Sequence, residues 1–235
     1  MNIVYCLNNK HNEICRLSAK SFVKYNSNVK FYILHSEDSN FDLGYKATVI
    51  KPDMRVITDE FSHDLLGFNH LSMECFLRLL IPRYITSDRV LYVDTDTLCL
   101  DNIEDFYNTN FEGNYFVGVR GISYNDTQAE MLGIPYYINS GVLLMNNELL
   151  RKSDYWEYMS KTWRGSIDKQ KPFSADETVI NYCFHDKIKL ASQEYNYCYA
   201  RSYGLRTIKS PKILHFTGCN KSRMFKVGKL YGISN

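Results

Sequence analysis

Arg89-Val90-Leu91-Tyr92-Val93-Asp94-Thr95-Asp96-Thr97 is the stretch that decides the fold. Val90 to Val93 form an unbroken apolar run, as expected of a central strand buried on both faces. Two aspartates follow at once. In open α/β sheets, ligands collect beyond the carboxyl ends of the strands. Side chains at alternate positions of an extended chain project to one side, so Asp94 and Asp96 are expected to face one ligand together. Carboxylates this close repel each other and resist desolvation unless a cation joins them. A divalent ion holding a diphosphate meets that need. The same residues also suit a polar turn.

Toward the N-terminus, Ile3 to Leu7 reads as a first strand and Asn8 to Asn12 as a polar loop. Ile14, Leu17, Ser18, Ser21, Phe22 and Tyr25 recur at helical spacing. Val29 to Leu34 is a second strand, so the chain opens as a βαβ unit and predicts a parallel sheet. Thr48 to Ile50 is a third candidate strand, and Pro52 to Asn69 carries no clear period. Leu71 to Tyr84 reads as a helix striped by Met73, Phe76, Leu77 and Leu80, with Pro82 kinking or ending it.

Toward the C-terminus, strands are expected at Tyr115–Val119, Gly141–Met145 and Lys212–Phe216. Helices are expected at Asn147–Trp163 and Ala175–Phe184. Between them, Tyr124 to Tyr137 reads as a long loop with Gly133, Pro135 and the pair Tyr136-Tyr137. Such a loop is a lid, an acceptor wall stacking on a sugar, or simply packed surface.

The 235 residues, 45% hydrophobic and 23% charged, suit a single α/β domain over 1–235. A net charge of +2 gives no reason to expect a nucleic-acid partner. The segment 209–235 is locally basic, with Lys209, Lys212, Lys221, Arg223, Lys226 and Lys229. It is either a solvated tail or a surface for phosphate or an anionic membrane. The seven cysteines are odd in number and lack a C-x-x-C pair, which reads as reduced core cysteine. With no leader-like or membrane-spanning run, the expected location is cytoplasmic, and the sequons at Asn125 and Asn220 are incidental.

Arg89 to Thr97 resembles the D-x-D segment of family 8 glycosyltransferases, the group containing glycogenin and bacterial lipooligosaccharide galactosyltransferases. Met1 to Tyr5 resembles the family's opening strand, and Arg78 falls where a basic donor-binding residue is kept. Ile138 to Asn146 is similar to its N-[SA]-G-V signature, Asp176-Glu177 with Ile180-Asn181 to its D-Q-x-x-[LI]-N helix, and His215 to Lys221 to its H-F-x-G-x-x-K motif. The resemblance implies a GT-A fold, Rossmann-like, with a mixed, mostly parallel sheet flanked by helices. It also implies a nucleotide-sugar donor, Mn²⁺ (with Mg²⁺ as the alternative) and a retaining hexosyl transfer.

Carried over residue by residue, the resemblance makes Asp94, Asp96 and His215 the metal ligands; a set with imidazole favours Mn²⁺ over Ca²⁺. Lys221 and Gly218 would meet the diphosphate, with Arg78 and Thr95 beside it. Asn8 and His11 would hold the uracil of a UDP-sugar, although His11 stands where the family often has a larger aromatic. Asn139 and Ser140 would bind the donor sugar, and Gly141 would keep the strand open to it. Asp176 would bind sugar hydroxyls. Glu177, where glutamine is commoner, would stabilise oxocarbenium charge or act as nucleophile. Ser174 to Glu177 also fits a helix capping box, and Asn8 to Asn12 a capping loop. Ser222-Arg223 stands where the family has Pro-Trp. The acceptor is a hydroxyl of a glycan, lipid or protein. Two rivals stand beside this reading. One is a sugar-nucleotide nucleotidyltransferase, disfavoured by the absence of glycine in Asn8 to Asn12; the other is a non-catalytic nucleotide-sugar-binding domain.

Overall fold

The computed structural model describes residues 1–61, 73–121, 124–166, 175–199, 210–218 and 221–233. Leu71, Ser174, Lys209, Cys219, Asn220 and the chain end from 234 onward lie outside the described residues.

The opening unit is β1 (Asn2–Leu7), α1 (Asn12–Tyr25) and β2 (Lys30–His35), followed by β3 (Ala47–Ile50) and α2 (Arg55–Phe61). Met73–Leu80 is a 3₁₀ helix that runs into the short α3 (Ile81–Tyr84). The expected single stripe is not seen: Phe76, Leu77, Arg78, Leu79 and Leu80 are all buried, so this 3₁₀ segment is packed on every side. Pro82 sits in the first turn of α3, where its missing N–H does no harm. Then come β4 (Arg89–Val93), β5 (Thr97–Cys99), α4 (Glu104–Tyr107), β6 (Phe116–Arg120), α5 (Tyr124–Leu132) and β7 (Ile138–Asn146). The rest is α6 (Asn147–Lys152), α7 (Tyr155–Ser166), α8 (Ala175–Phe184), β8 (Ile188–Ala191), β9 (Tyr197–Cys198), β10 (Ile213–His215) and α9 (Lys221–Leu230).

Seven strands form the main sheet in the order β3-β2-β1-β4-β7-β6-β8. β3, β2, β1 and β4 are mutually parallel, β6 and β8 are parallel, and β7 runs against both its neighbours. β4 is central, and its side chains split between the two faces. Val90 and Tyr92 join a core with Phe76, Leu80, Val179 and Ile180. Leu91 and Val93 join one with Cys15, Ala19 and Phe22 of α1. Each fully buried aliphatic side chain contributes roughly 1.5–3 kcal/mol, which is why this run holds the middle of the sheet.

A second sheet, β5-β10-β9, carries none of the expected strands except the late one at Ile213. Its Leu98 and Leu214 pack with Phe216, Met224 and α1's Leu17. The basic C-terminal segment is therefore not a solvated tail from Lys221 on. It is a helix, α9, whose Met224 is buried while Arg223, Lys226 and Lys229 stay exposed.

Three expectations need correction. The segment Tyr124 to Tyr137 is mostly helix α5, and Tyr137 is no sugar platform: it is fully buried, its hydroxyl 3.0 Å from Thr178 Oγ1. Tyr136 donates its hydroxyl to the carbonyls of His185 and Ile188. Asn147 to Trp163 is two helices, broken at Ser153-Asp154. The six described cysteines are free, as expected of a reduced core. Among the described residues, no helix is long and apolar enough to cross a membrane.

Candidate active site

Parallel β1 and β4 end on the same edge of the sheet; the register Val4 to Tyr92 sets Asp94 level with Cys6, with Asn8 two residues further along the chain from β1. Antiparallel β7 begins at that edge, with Val142 opposite Val93 and the Asp94 N–H donating to the Gly141 carbonyl at 2.7 Å. Between Gly118 and Val119 the β6–β7 register slips, passing over Ser140, Gly141 and Val142. Bulges of this kind re-aim side chains near sites.

Asp94, Thr95 and Asp96 form a turn, not a continued strand. The two carboxylates therefore meet because the chain folds back there, and not through the alternation of an extended chain. The second sheet completes the encounter. Thr97 of β5 pairs with His215 of β10, and the Phe216 N–H donates to the Asp96 carbonyl at 2.8 Å. His215 Nε2 then lies 3.4 Å from Asp94 Oδ2 and 3.3 Å from Asp96 Oδ1. One ligand atom from each of the three residues falls within 4.8 Å of the others. Asp96 and His215 are buried, and Thr95 is buried between the aspartates.

Burial alone would lower the proton affinity of His215, but the Asp96 and Asp94 carboxylates outweigh it and raise it well above the ordinary imidazole value. Burial acts to raise Asp94, yet Arg78, His215 and the Tyr92 hydroxyl hold it well below the usual carboxylate range. A pocket that draws a proton onto a buried imidazole is short of positive charge. Two carboxylates and one imidazole suit a divalent cation of the manganese or magnesium type.

Gly141 lines the back of this group. A Cβ there would overlap the His215 ring and stand 2.6 Å from Asp94 Oδ2. Glycine is thus required by the His215 and Asp94 side chains themselves, a reason that the sequence does not show.

Arg78 is buried behind the pair. Nη2 donates to Asp94 Oδ1 at 3.1 Å, and Nη1 donates to the carbonyl and the hydroxyl of Ser140 at 2.8 and 2.9 Å. Nε donates to the Cys75 carbonyl at 3.1 Å, with Asp176 Oδ2 2.8 Å away but off the N–H line. That Asp176 oxygen is buried without an in-line hydrogen bond. Burial pushes Asp176 up to about 7, against the pull of Arg78.

Glu177 Oε2 reaches across to β7, and the N-cap expected at Ser174 lies outside the described residues. That oxygen accepts from Asn139 Nδ2 at 2.8 Å, the Ser140 N–H at 2.9 Å and the Ser140 hydroxyl at 3.4 Å. Asn181, one turn along α8, accepts from the Ile138 N–H at 2.7 Å and donates to the Ile138 carbonyl at 2.9 Å.

On the β1 side, Asn8 Oδ1 accepts from the Lys10 N–H at 3.2 Å and lies 3.0 Å from His11 Nδ1. The capping role of that loop is therefore present in the fold. Burial and, next, the nearby Lys221 charge lower the proton affinity of His11. Lys221 Nζ is 3.4 Å from Asp96 Oδ2. Gly218 has φ +67° with open space where a Cβ would be, so backbone conformation explains it.

The structure thus links Asp94, Asp96, His215, Lys221, Arg78, Asp176, Asn139, Ser140 and Glu177 through direct contacts, while Asn8 and His11 bond within their own loop. Sequence reasoning missed Tyr92, whose hydroxyl donates to Asp94 Oδ1, and Asn196, which touches His215. Tyr92 was hidden as one more apolar member of its strand; Asn196, in Tyr195-Asn196-Tyr197, had no motif around it.

Residues 2–222 match the sequence model of glycosyl transferase family 8. Glycosyltransferase GlyE of Streptococcus pneumoniae serotype 4 (strain TIGR4) is 25% identical over 90% of this chain. GlyA of the same strain is 24% identical over 76% of it. The chain spans 54% of GlyE and 25% of GlyA, about half or less of these relatives. A crystal structure of the galactosyltransferase LgtC in complex with donor and acceptor sugar analogues superposes with a TM-score of 0.83 at 20% identity, covering 99% of this chain and 95% of that one. The GlyE crystal structure gives 0.71 at 19% identity, over 100% and 61%. The mostly parallel sheet, the paired aspartates at its edge and a match spanning nearly the whole sequence make this chain a member of glycosyl transferase family 8 with the GT-A fold.

Proposed function

We propose that this chain is a metal-dependent, retaining glycosyltransferase that passes a hexose or related sugar from a UDP-sugar to an acceptor hydroxyl on a glycan, lipid or protein. The observation that carries the reading is the convergence of Asp94, Asp96 and His215, with ligand atoms within 4.8 Å of one another at the carboxyl edge of the sheet. Bound there, Mn²⁺ (or Mg²⁺) supplies Lewis-acid stabilisation of the departing diphosphate.

The chain's own groups divide the remaining work. Lys221 offers positive charge to the diphosphate from beside Asp96. Asn8 and His11 hold the base at the end of β1. Asn139 and Ser140 present the start of β7 to the donor sugar, and Asp176, held 2.8 Å from Arg78, is the partner for a sugar hydroxyl. Arg78 serves as the buried counter-ion that keeps Asp94 and Asp176 in place, more than as a direct donor contact. Glu177 Oε2 is engaged by three donors, which favours electrostatic support of the oxocarbenium charge over nucleophilic attack. The acceptor hydroxyl then attacks the face from which UDP leaves. Residues 1–235 act as one domain, completed by its C-terminal segment. The exposed lysines of α9 would suit an anionic membrane surface.

The deciding measurement is hydrolysis of a panel of UDP-sugars with and without Mn²⁺. Release of UDP that needs Mn²⁺ is the expected result. Sugar-nucleotide synthesis from a sugar phosphate and UTP, or nucleotide binding with no turnover, would replace this reading with one of its rivals.

A further inference from the structure

A buried line of hydrogen bonds leads from the cation-binding group back into β7. His215 Nδ1 lies 3.0 Å from Asn196 Oδ1. Asn196 Nδ2 donates to Asn139 Oδ1 at 2.8 Å and to the Asn139 carbonyl at 3.3 Å. Asn139 Nδ2 donates to Glu177 Oε2 at 2.8 Å. All four residues are buried, Asn196 to 4% exposure.

Two backbone groups fix the sense of every amide in this line. A backbone N–H only donates. The Gly141 N–H donates to Asn139 Oδ1 at 3.1 Å, and the Ser140 N–H to Glu177 Oε2 at 2.9 Å. Asn139 must therefore turn its oxygen toward Asn196 and its Nδ2 toward Glu177. Facing two acceptors of Asn139, Asn196 must present its Nδ2 there and its oxygen to His215. The flipped amide would set acceptor against acceptor at a buried position, which costs the desolvation of both. With an acceptor against it, His215 Nδ1 carries the proton. Nε2 is the nitrogen left facing Asp94 and Asp96.

We infer that Asn196 is a positioning residue: it locks His215 in the Nδ1–H tautomer, so that the Nε2 lone pair is offered to a divalent cation between Asp94 and Asp96. The inference rests on the metal reading proposed above. Such outer partners orient ligating histidines, and losing one costs about 10- to 100-fold in metal affinity.

The test is Mn²⁺ titration by calorimetry on the full chain, without donor. Asn196→Ala, with folding checked by circular dichroism, should weaken Mn²⁺ binding about 10- to 100-fold. A second readout needs no variant: ¹⁵N-histidine spectra of the wild-type protein with diamagnetic Cd²⁺ should place the His215 proton on Nδ1 and the metal on Nε2. The inference is overturned by a folded Asn196→Ala with wild-type Mn²⁺ affinity, or by Cd²⁺ on Nδ1. A wild-type protein that binds no Mn²⁺ would overturn the metal reading itself.

Discussion

Asp96 is the residue on which the proposed chemistry turns, because it touches both His215 and Lys221. Asp96→Ala should lower UDP-sugar hydrolysis by at least about 10³-fold, with an unchanged circular dichroism spectrum. Activity near the wild-type level would remove the metal assignment. Glu177→Gln asks a different question. An amide oxygen can still accept from Asn139 and the Ser140 N–H, so β7 should hold its place. Turnover should stay above about one-tenth of wild type, whereas loss of a true nucleophile costs several orders of magnitude. Rates separate the two roles. Asp94 and Asp96 were legible because they end a long apolar run, a signal that survives in a single sequence. His215 was not, since a histidine closing a short strand has no pattern of its own; only the resemblance of the segment around it suggested a role.

Elements, not single residues, set the distances in the site. Asn181 of α8 grips both backbone groups of Ile138 and donates to the Glu177 carbonyl at 2.8 Å. It holds α8 against the bulged start of β7. Asn181→Ala leaves buried backbone groups unpaired, at about 1–3 kcal/mol. A chain of this size should lose about 2–4 °C in Tm per kcal/mol, and kcat should fall as Asn139 and Ser140 drift from Glu177. A melt within a degree of wild type would dismiss the clamp. Long elements such as β1, α1, β4 and α8 were readable from periodicity and run length. β5 and β9, of three and two residues, are too short to carry a period. They exist because β10 supplies their hydrogen-bond partners. The segment α5 was read as a loop because its apolar residues follow no strong helical stripe and Gly133-Ile134-Pro135 announces a turn.

Across the whole molecule, the proposed metal site ties proton binding to stability. His215 holds its proton more tightly in the folded chain than its ordinary 6.5. Its contribution to the metal-free fold is complete below pH 6.5 and is lost as pH rises through the higher folded value. A cation must displace that proton, so its stabilising effect grows as pH rises. The Tm increase produced by Mn²⁺ should therefore be larger at about pH 8 than at about pH 6, by up to about 1.4 kcal/mol per pH unit of free energy. An increase independent of pH would exclude His215 as a ligand.

The ladder between β5 and β10 has a further meaning during biosynthesis. A nascent chain that has emerged only as far as Phe184 already carries both aspartates, yet it lacks the imidazole and the strand that brings it home. Capture of an ion by this group, if it holds one, is then expected late in maturation, because a contact so distant along the polypeptide forms late. In a refolding experiment with manganese present, uptake of the ion is expected to follow the pairing of β10 with β5.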